Sequence, residues 1–164
     1  MAAVMNRDSL DTYLNDHLAG SVTALEIIEH LAKTCSDAQL QSFFTDLHVE
    51  VTADQQVLQD ILKALDMHEG AIRKAGAWLI EKVGRAKLGF EKEEAGGVEF
   101  LQALEVIVLG ITGKSLLWRS LAAASDEMPQ LRGPNYAELE TRAMRQRDFV
   151  EAKRIAAARA AFRD

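Results

Sequence analysis

The chain contains only two prolines, Pro129 and Pro134, and both fall within one short segment of its 164 residues. Because proline interrupts helices, this distribution leaves the rest of the chain free to form long helices. The hairpin signals Asn-Gly and Asp-Gly occur nowhere in the sequence. We therefore predict an all-α fold that forms a single domain over residues 1–164.

Apolar residues recur at alternating intervals of three and four, the spacing that places side chains on one face of a helix. This spacing predicts four long helices, at 9–33, 36–65, 98–124 and 135–162, and a shorter one at 69–88. Ser36 with Gln39, and Asn135 with Glu138, stand in capping-box register at two of the helix starts. Sustained spacing of this kind favours an up-down bundle with near-antiparallel packing.

Two inner faces carry polar residues as well as apolar ones. The predicted inner face of the second helix comprises Leu40, Phe44, Leu47, Val51, Asp54, Leu58, Ile61 and Leu65. The predicted inner face of the last helix comprises Leu139, Ala143, Gln146, Val150, Lys153, Ala157 and Ala160. Because Asp54 is the one charged member of its row, we expect it to be buried and paired with a cation.

The net charge is −6, which argues against a nucleic-acid partner because phosphate binding requires a basic surface. The charge is uneven along the chain. Residues 1–131 contain 11 Lys+Arg and 20 Asp+Glu, whereas residues 132–164 contain 8 and 5. This asymmetry favours a basic last helix that docks on an acidic body. Together with several aromatic residues, these opposite charges also favour a homodimer.

The sequence also predicts a cytoplasmic protein without a membrane span. The longest strongly apolar stretch, 106–111, is far shorter than the roughly 20 residues that a bilayer requires. The first eight residues lack the apolar core of a signal peptide, and the single Cys35 suits a reducing compartment. We see no adjacent acid–base pair that would make Cys35 a nucleophile.

Chemistry in a helical bundle depends on polar side chains that face inward from several helices. Four such residues are His17, Asp54, Glu105 and Lys153, and Glu50 lies one turn before Asp54. If each helix folds back at its predicted turn, these four fall within about one helical turn, ~5 Å, along the bundle axis. We therefore predict a polar layer at this level.

Two interpretations of the layer remain open. In the first, Glu50, Asp54, Glu105 and His17 bind iron or manganese through oxygen and imidazole ligands. In the second, the carboxylates form a buried polar network with cations, and no metal cofactor is needed. The candidate members of the buried network are Asp54, Lys153, Lys114 and Arg119. We favour the network, because the Glu-x-x-His motif of di-iron bundles occurs nowhere in the sequence.

Residues 13–20 and 25–29 of the first helix, with 47–55 and 58–62 of the second, resemble the ferritin-like superfamily, especially small bacterial members. The resemblance implies a bundle of the four long helices, with 69–88 as an additional element. Members with intact sites bind two irons and carry out oxidation or iron storage. Carried over by position, Glu50 and Glu105 match glutamate ligands and Asp54 is an auxiliary carboxylate, whereas both histidine ligands are missing.

These observations predict a protein with a degenerate di-iron site that acts as a non-catalytic binding or interaction module. The alternative is an iron- or manganese-binding protein, or an oxidoreductase, with an atypical carboxylate site. The glutamate of the first helix would then be Glu26 or Glu29, although neither falls on the inner face.

Overall fold

The structure, a computed structural model, describes residues 6–68 and 97–163, and every regular element within these ranges is helical. The helices are α1 (Arg7–Thr34), α2 (Ala38–Ala64), α3 (Val98–Ser125) and α4 (Tyr136–Ala161), with a 3-10 turn at Pro129–Leu131. The all-α prediction is confirmed for this part of the chain. The predicted helix at 69–88 lies outside the described residues.

The start of α2 differs by one residue from the sequence prediction. The N-cap is Asp37 rather than Ser36, and its Oδ1 accepts hydrogen bonds from the backbone N–H groups of Gln39 (2.8 Å) and Leu40 (2.9 Å). A carboxylate at this position also interacts favourably with the positive end of the helix dipole. The cap of α4 is Asn135 as predicted, and its side chain accepts from Glu138 N at 3.2 Å.

The helices form two antiparallel hairpins. In the first, the Arg7 guanidinium near the start of α1 donates to the carbonyl of Leu65 at 2.6 Å, just past the end of α2. In the second, Arg154 on α4 lies 3.6 Å from Glu105 on α3. The most extensive packing occurs within these hairpins, and α1 also packs against α3.

The two hairpins meet with α2 parallel to α3. Near the start of both helices, Phe44 lies edge-on to Phe100 with 6.3 Å between ring centroids. Further along both helices, Asp54 forms an ion pair with Lys114. The helix directions are therefore up, down, down and up. The chain leaves α2 at one end of the bundle and enters α3 at the other, about 40 Å away for a helix of 27 residues.

The core forms along the faces that the sequence periodicity predicts. Seven of the eight predicted positions on α2 are buried, and Leu40 packs partly buried against the core. On α4 the prediction is wrong at Ala160, which is exposed near the helix end. Lys153 is half-buried, and its ammonium lies 4.8 Å from the centroid of the Phe43 ring. Such a contact lets an aliphatic stem pack while the charge stays near solvent.

One described helix, α3, is long and apolar enough to cross a membrane by length and composition alone. Its most apolar window is 44% buried inside the bundle, and buried core helices pass the same test. Leu109 and Leu116, seven residues apart on α3, are 65% and 51% exposed.

The cap assignment predicts a difference between two neighbouring substitutions. Asp37→Ala removes the acceptor of two backbone N–H groups and should lower the free energy of unfolding by about 1 kcal/mol. Ser36→Ala is the matched control and should change it by less than about 0.5 kcal/mol, because Ser36 lies outside the cap and is exposed. Urea denaturation followed by circular dichroism measures both values. Equal losses from the two variants would contradict the assignment of Asp37.

Candidate functional site

The middle of the bundle contains a fully buried carboxylate. Asp54, on the inner face of α2, has no exposed side-chain surface, and each of its oxygen atoms pairs with a different cation. Oδ2 accepts from the ammonium of Lys114 on α3, and Oδ1 accepts from the guanidinium of Arg142 on α4. The expectation that Asp54 is buried and paired is therefore met by two cations from two helices.

Hydrogen bonds extend this ion pair into a network. The Lys114 ammonium also donates to Oε1 of the buried Gln146 at 2.6 Å. Gln146 in turn donates through Nε2 to Oε2 of Glu50 at 2.8 Å. We call these five residues, Glu50, Asp54, Lys114, Arg142 and Gln146, the central polar network. Its two carboxylates and two cations balance in charge, as burial of ionic groups requires.

The environment of Lys114 contains opposing electrostatic effects. Burial lowers the pKa of its ammonium, because loss of water disfavours the charged form, while Asp54 raises it. The neighbouring Arg142 lowers it further, and Glu50 raises it. The net result is a pKa below the ordinary value for lysine.

The structure places two predicted members of the network elsewhere. Lys153 contacts Phe43, as described above, and is not bonded to Asp54. Arg119 is 63% exposed and pairs with Glu140 between α3 and α4. Arg142 was not predicted at all, because it lies one position away from the inner face of α4 and reaches Asp54 through its long side chain.

These differences have a common geometric cause. The layer predicted from the sequence placed Asp54 level with Glu105 and Lys153, whereas the observed partners are Lys114 and Arg142. The shift on α3 is nine residues, about 13 Å of helix. Which residue of α3 lies opposite Asp54 depends on where the chain turns between α2 and α3. Periodicity alone does not give the positions of these turns.

The remaining candidate residues lie closer to the surface. The Glu105 side chain is 47% exposed and lies 3.6 Å from Arg154. His17 is half-buried and lies edge-on to Tyr13, with 4.7 Å between ring centroids. Burial lowers the pKa of the His17 imidazole, and the nearby Asp16 partly opposes this effect. The ring is therefore neutral at pH 7, the form that binds metals.

A cavity of about 590 Å³ lies between α1, α2 and α3. His17, Asp54 and Glu105 all line it, so three of the four predicted metal ligands face one space. Glu50 is not among the lining residues and is bonded to Gln146 on α4. In residues 6–68 and 97–163, no group of three or more His, Cys, Asp or Glu side chains is arranged to hold a metal ion.

Two further residues of α3 define the chemistry of the cavity wall. Lys114 and Trp118 both line the cavity, one helical turn apart. Trp118 is 1% exposed, and its indole N–H donates to no acceptor among the described residues. Its ring stacks on Tyr136 at 6.4 Å between centroids. No sequence pattern could show that the Trp118 N–H lacks an acceptor.

Comparison of the chain with protein-family models, curated proteins and solved structures finds no match. Function is therefore inferred from the chain's own residues.

The double ion pair predicts a large effect of removing its carboxylate. Asp54→Ala leaves both Lys114 and Arg142 without their buried counter-charge and should lower the free energy of unfolding by about 3–5 kcal/mol. Glu140→Ala, which removes the partner of the exposed Arg119, is the matched control and should cost less than about 1 kcal/mol. Thermal and urea denaturation measure both. An Asp54→Ala variant as stable as the control would contradict the pairing.

Cys35, which caps α1, provides a test of the core near the turn between α1 and α2. Burial, with Asp37 nearby, raises the pKa of its thiol from 9.0 to about 11. Because the thiolate is the reactive form, alkylation by iodoacetamide at pH 8 should be at least roughly a hundredfold slower in the folded than in the urea-unfolded protein. The folded-state rate should continue to rise with pH above 9. A plateau near pH 9 would contradict the raised pKa.

Proposed function

We propose that this chain is a non-catalytic helical bundle of the ferritin-like type that serves as a binding module. In this proposal, the central polar network occupies the place of the metal layer, and the cavity between α1, α2 and α3 receives the ligand. The observation that supports it most is that both oxygens of Asp54 already hold cations, Lys114 and Arg142.

The order of helix directions supports the ferritin-like assignment. Ferritin-like bundles differ from simple up-down bundles by one long crossover connection. Here α2 and α3 are parallel, and the chain between Ala64 and Val98 joins opposite ends of the bundle. Two antiparallel hairpins joined in this way are consistent with that topology.

Electrostatics argues against a divalent metal at Asp54. A dication would have to displace Lys114 or Arg142, and a displaced Lys114, whose side chain is only 12% exposed, would remain in the interior without its counter-charge. The two cations also repel a metal ion at short range, where the interior screens charges weakly. Glu50 cannot easily compensate, because it accepts a hydrogen bond from Gln146 and lies 3.8 Å from Arg145.

The cavity supports a binding role. Its volume of about 590 Å³ falls within the range of pockets that hold small organic ligands. Its lining is mainly apolar, as is usual for such sites, and all three helices also contribute polar side chains, among them Ser21, Gln55 and Gln102.

One observation favours the alternative of an iron- or manganese-binding protein. His17, Asp54 and Glu105 line the same cavity, and oxygen and imidazole ligands suit both metals. This alternative requires Asp54 to exchange a cationic partner for the metal.

Metal analysis distinguishes the two functions. The protein is purified without chelators, its iron and manganese are measured by elemental analysis, and it is then titrated with Fe(II) and Mn(II). We expect substoichiometric metal at purification and no saturable binding. Stoichiometric metal that is lost in Glu50→Ala or Glu105→Ala, but kept in the exposed control Glu99→Ala, would overturn the proposal and make the two glutamates ligands.

A further inference from the structure

Two hydrogen-bond donors stand at one end of the cavity lining on α3. The Lys114 ammonium gives two of its three N–H groups to Asp54 and Gln146, and no described residue accepts the third. The Trp118 indole N–H, one turn further, has no acceptor among the described residues. A buried donor without an acceptor is costly and rare in native proteins, so this end is suited to a ligand oxygen.

The rest of the lining is extended and mainly apolar. On α3 it runs from Gln102 to Trp118, which corresponds to about 24 Å of helix. The apolar side chains that contribute to it are Val51, Leu58, Val106, Leu109, Ile111 and Leu117. A long hydrocarbon chain fits such a wall better than a compact polar metabolite.

Two glycines leave room along this space. A Cβ atom added at Gly20 on α1 or at Gly113 on α3 would meet no atom within 4 Å. At Gly110, by contrast, an added Cβ would lie 3.7 Å from Ala24, where α1 and α3 are in contact. The helices therefore touch at Gly110, while the cavity is open at Gly20 and Gly113.

The charges near the two donors do not favour an anionic head group. The charges of the central polar network already balance, and Asp16 adds a negative charge to the cavity lining. A carboxylate would therefore find donors but no excess positive charge. A neutral carbonyl oxygen accepts the same hydrogen bonds without that mismatch.

We infer that the cavity binds a neutral amphiphile, a long unbranched hydrocarbon chain with a carbonyl oxygen at its head, as in an acyl ester, amide or ketone. The carbonyl oxygen accepts from the Trp118 indole N–H and the third Lys114 N–H. The chain lies along the apolar side chains of α2 and α3, beside the contact between Gly110 and Ala24. This inference rests on the proposed binding function and specifies its ligand class.

The ligand class is tested with 2-octanone, 2-decanone and 2-dodecanone titrated into the full chain and followed by calorimetry. Each buried methylene should raise the affinity about fourfold, the equivalent of ~0.8 kcal/mol. Dodecane, which lacks the acceptor, and dodecanoate, which carries a charge, should both bind more weakly than 2-dodecanone. Absence of ketone binding, affinity independent of chain length, or tighter binding of dodecanoate would each overturn the inference.

The location of the ligand is tested by replacing a glycine of the cavity lining with leucine. Gly113→Leu places a side chain in the open space and should reduce 2-dodecanone affinity at least tenfold, without loss of thermal stability, because leucine favours helix over glycine. Ser120→Leu, an exposed position on the same helix outside the lining, is the matched control and should bind as the wild type does. Gly20→Leu repeats the test from α1. Undiminished binding in both glycine variants would place the ligand elsewhere.

The head-group contact is tested with Trp118→Phe, which keeps an aromatic ring and removes the N–H. Affinity for 2-dodecanone should fall about two- to tenfold, as for one neutral hydrogen bond, whereas affinity for dodecane should not change. Equal losses for both probes would show that the ring packs against the chain without binding the carbonyl.

Failure of this inference can be told apart from failure of the proposed function. Small molecules that co-purify with the wild type are extracted and identified by mass spectrometry, and the extraction is repeated with Gly113→Leu. A non-acyl compound that is lost in the variant would refute the ligand class and retain the binding function. Stoichiometric metal at Glu50 or Glu105 would refute the proposed binding function itself, whether or not the ketones bind.

Discussion

The buried ion pairs of Asp54 connect three of the four described long helices. Asp54 belongs to α2, and its two cationic partners come from α3 and α4. A carboxylate without exposed surface is stable only while cations pair with it. The pairs with Lys114 and Arg142 therefore favour the observed axial positions of the three helices. Apolar contacts can form at several axial offsets between two helices, whereas the ion pairs of Asp54 require one particular offset. These pairs therefore account for how the two hairpins are aligned.

The same contact positions the wall of the cavity. Lys114 donates to Asp54 and Gln146, so this face of α3 is turned towards α2 and α4. In this orientation, Gly110 meets Ala24 of α1, while Gly113 faces open space. The polar network and the cavity thus share Asp54 and Lys114. We therefore expect a change in the charge balance of the network to affect the cavity as well.

Local features of the fold were readable from the sequence because they depend on neighbouring residues. The inner face of α2 follows from its three-and-four spacing, and the burial of Asp54 follows from its place in that face. The partners of Asp54 depend on the axial position of α3 relative to α2, and the spacing of residues within one helix does not determine that position. Of the three predicted cations, Lys114 pairs with Asp54, whereas Lys153 and Arg119 make other contacts. Arg142 was not predicted, because it lies beside the inner face of α4 and its long side chain reaches Asp54 from there.

A buried ion pair is seldom the most stable way to fill a core, since apolar side chains of similar volume are often as good or better. What the pair around Asp54 adds is a defined register and a polar surface inside an apolar bundle. Its cations leave Asp54 little capacity for a metal, since neither oxygen atom is free of a cationic partner. Lys114 also lines the cavity, and its ammonium has one more N–H group than the network uses. The arrangement that argues against a metal at Asp54 is thus the one on which the proposed neutral, acceptor-bearing ligand depends.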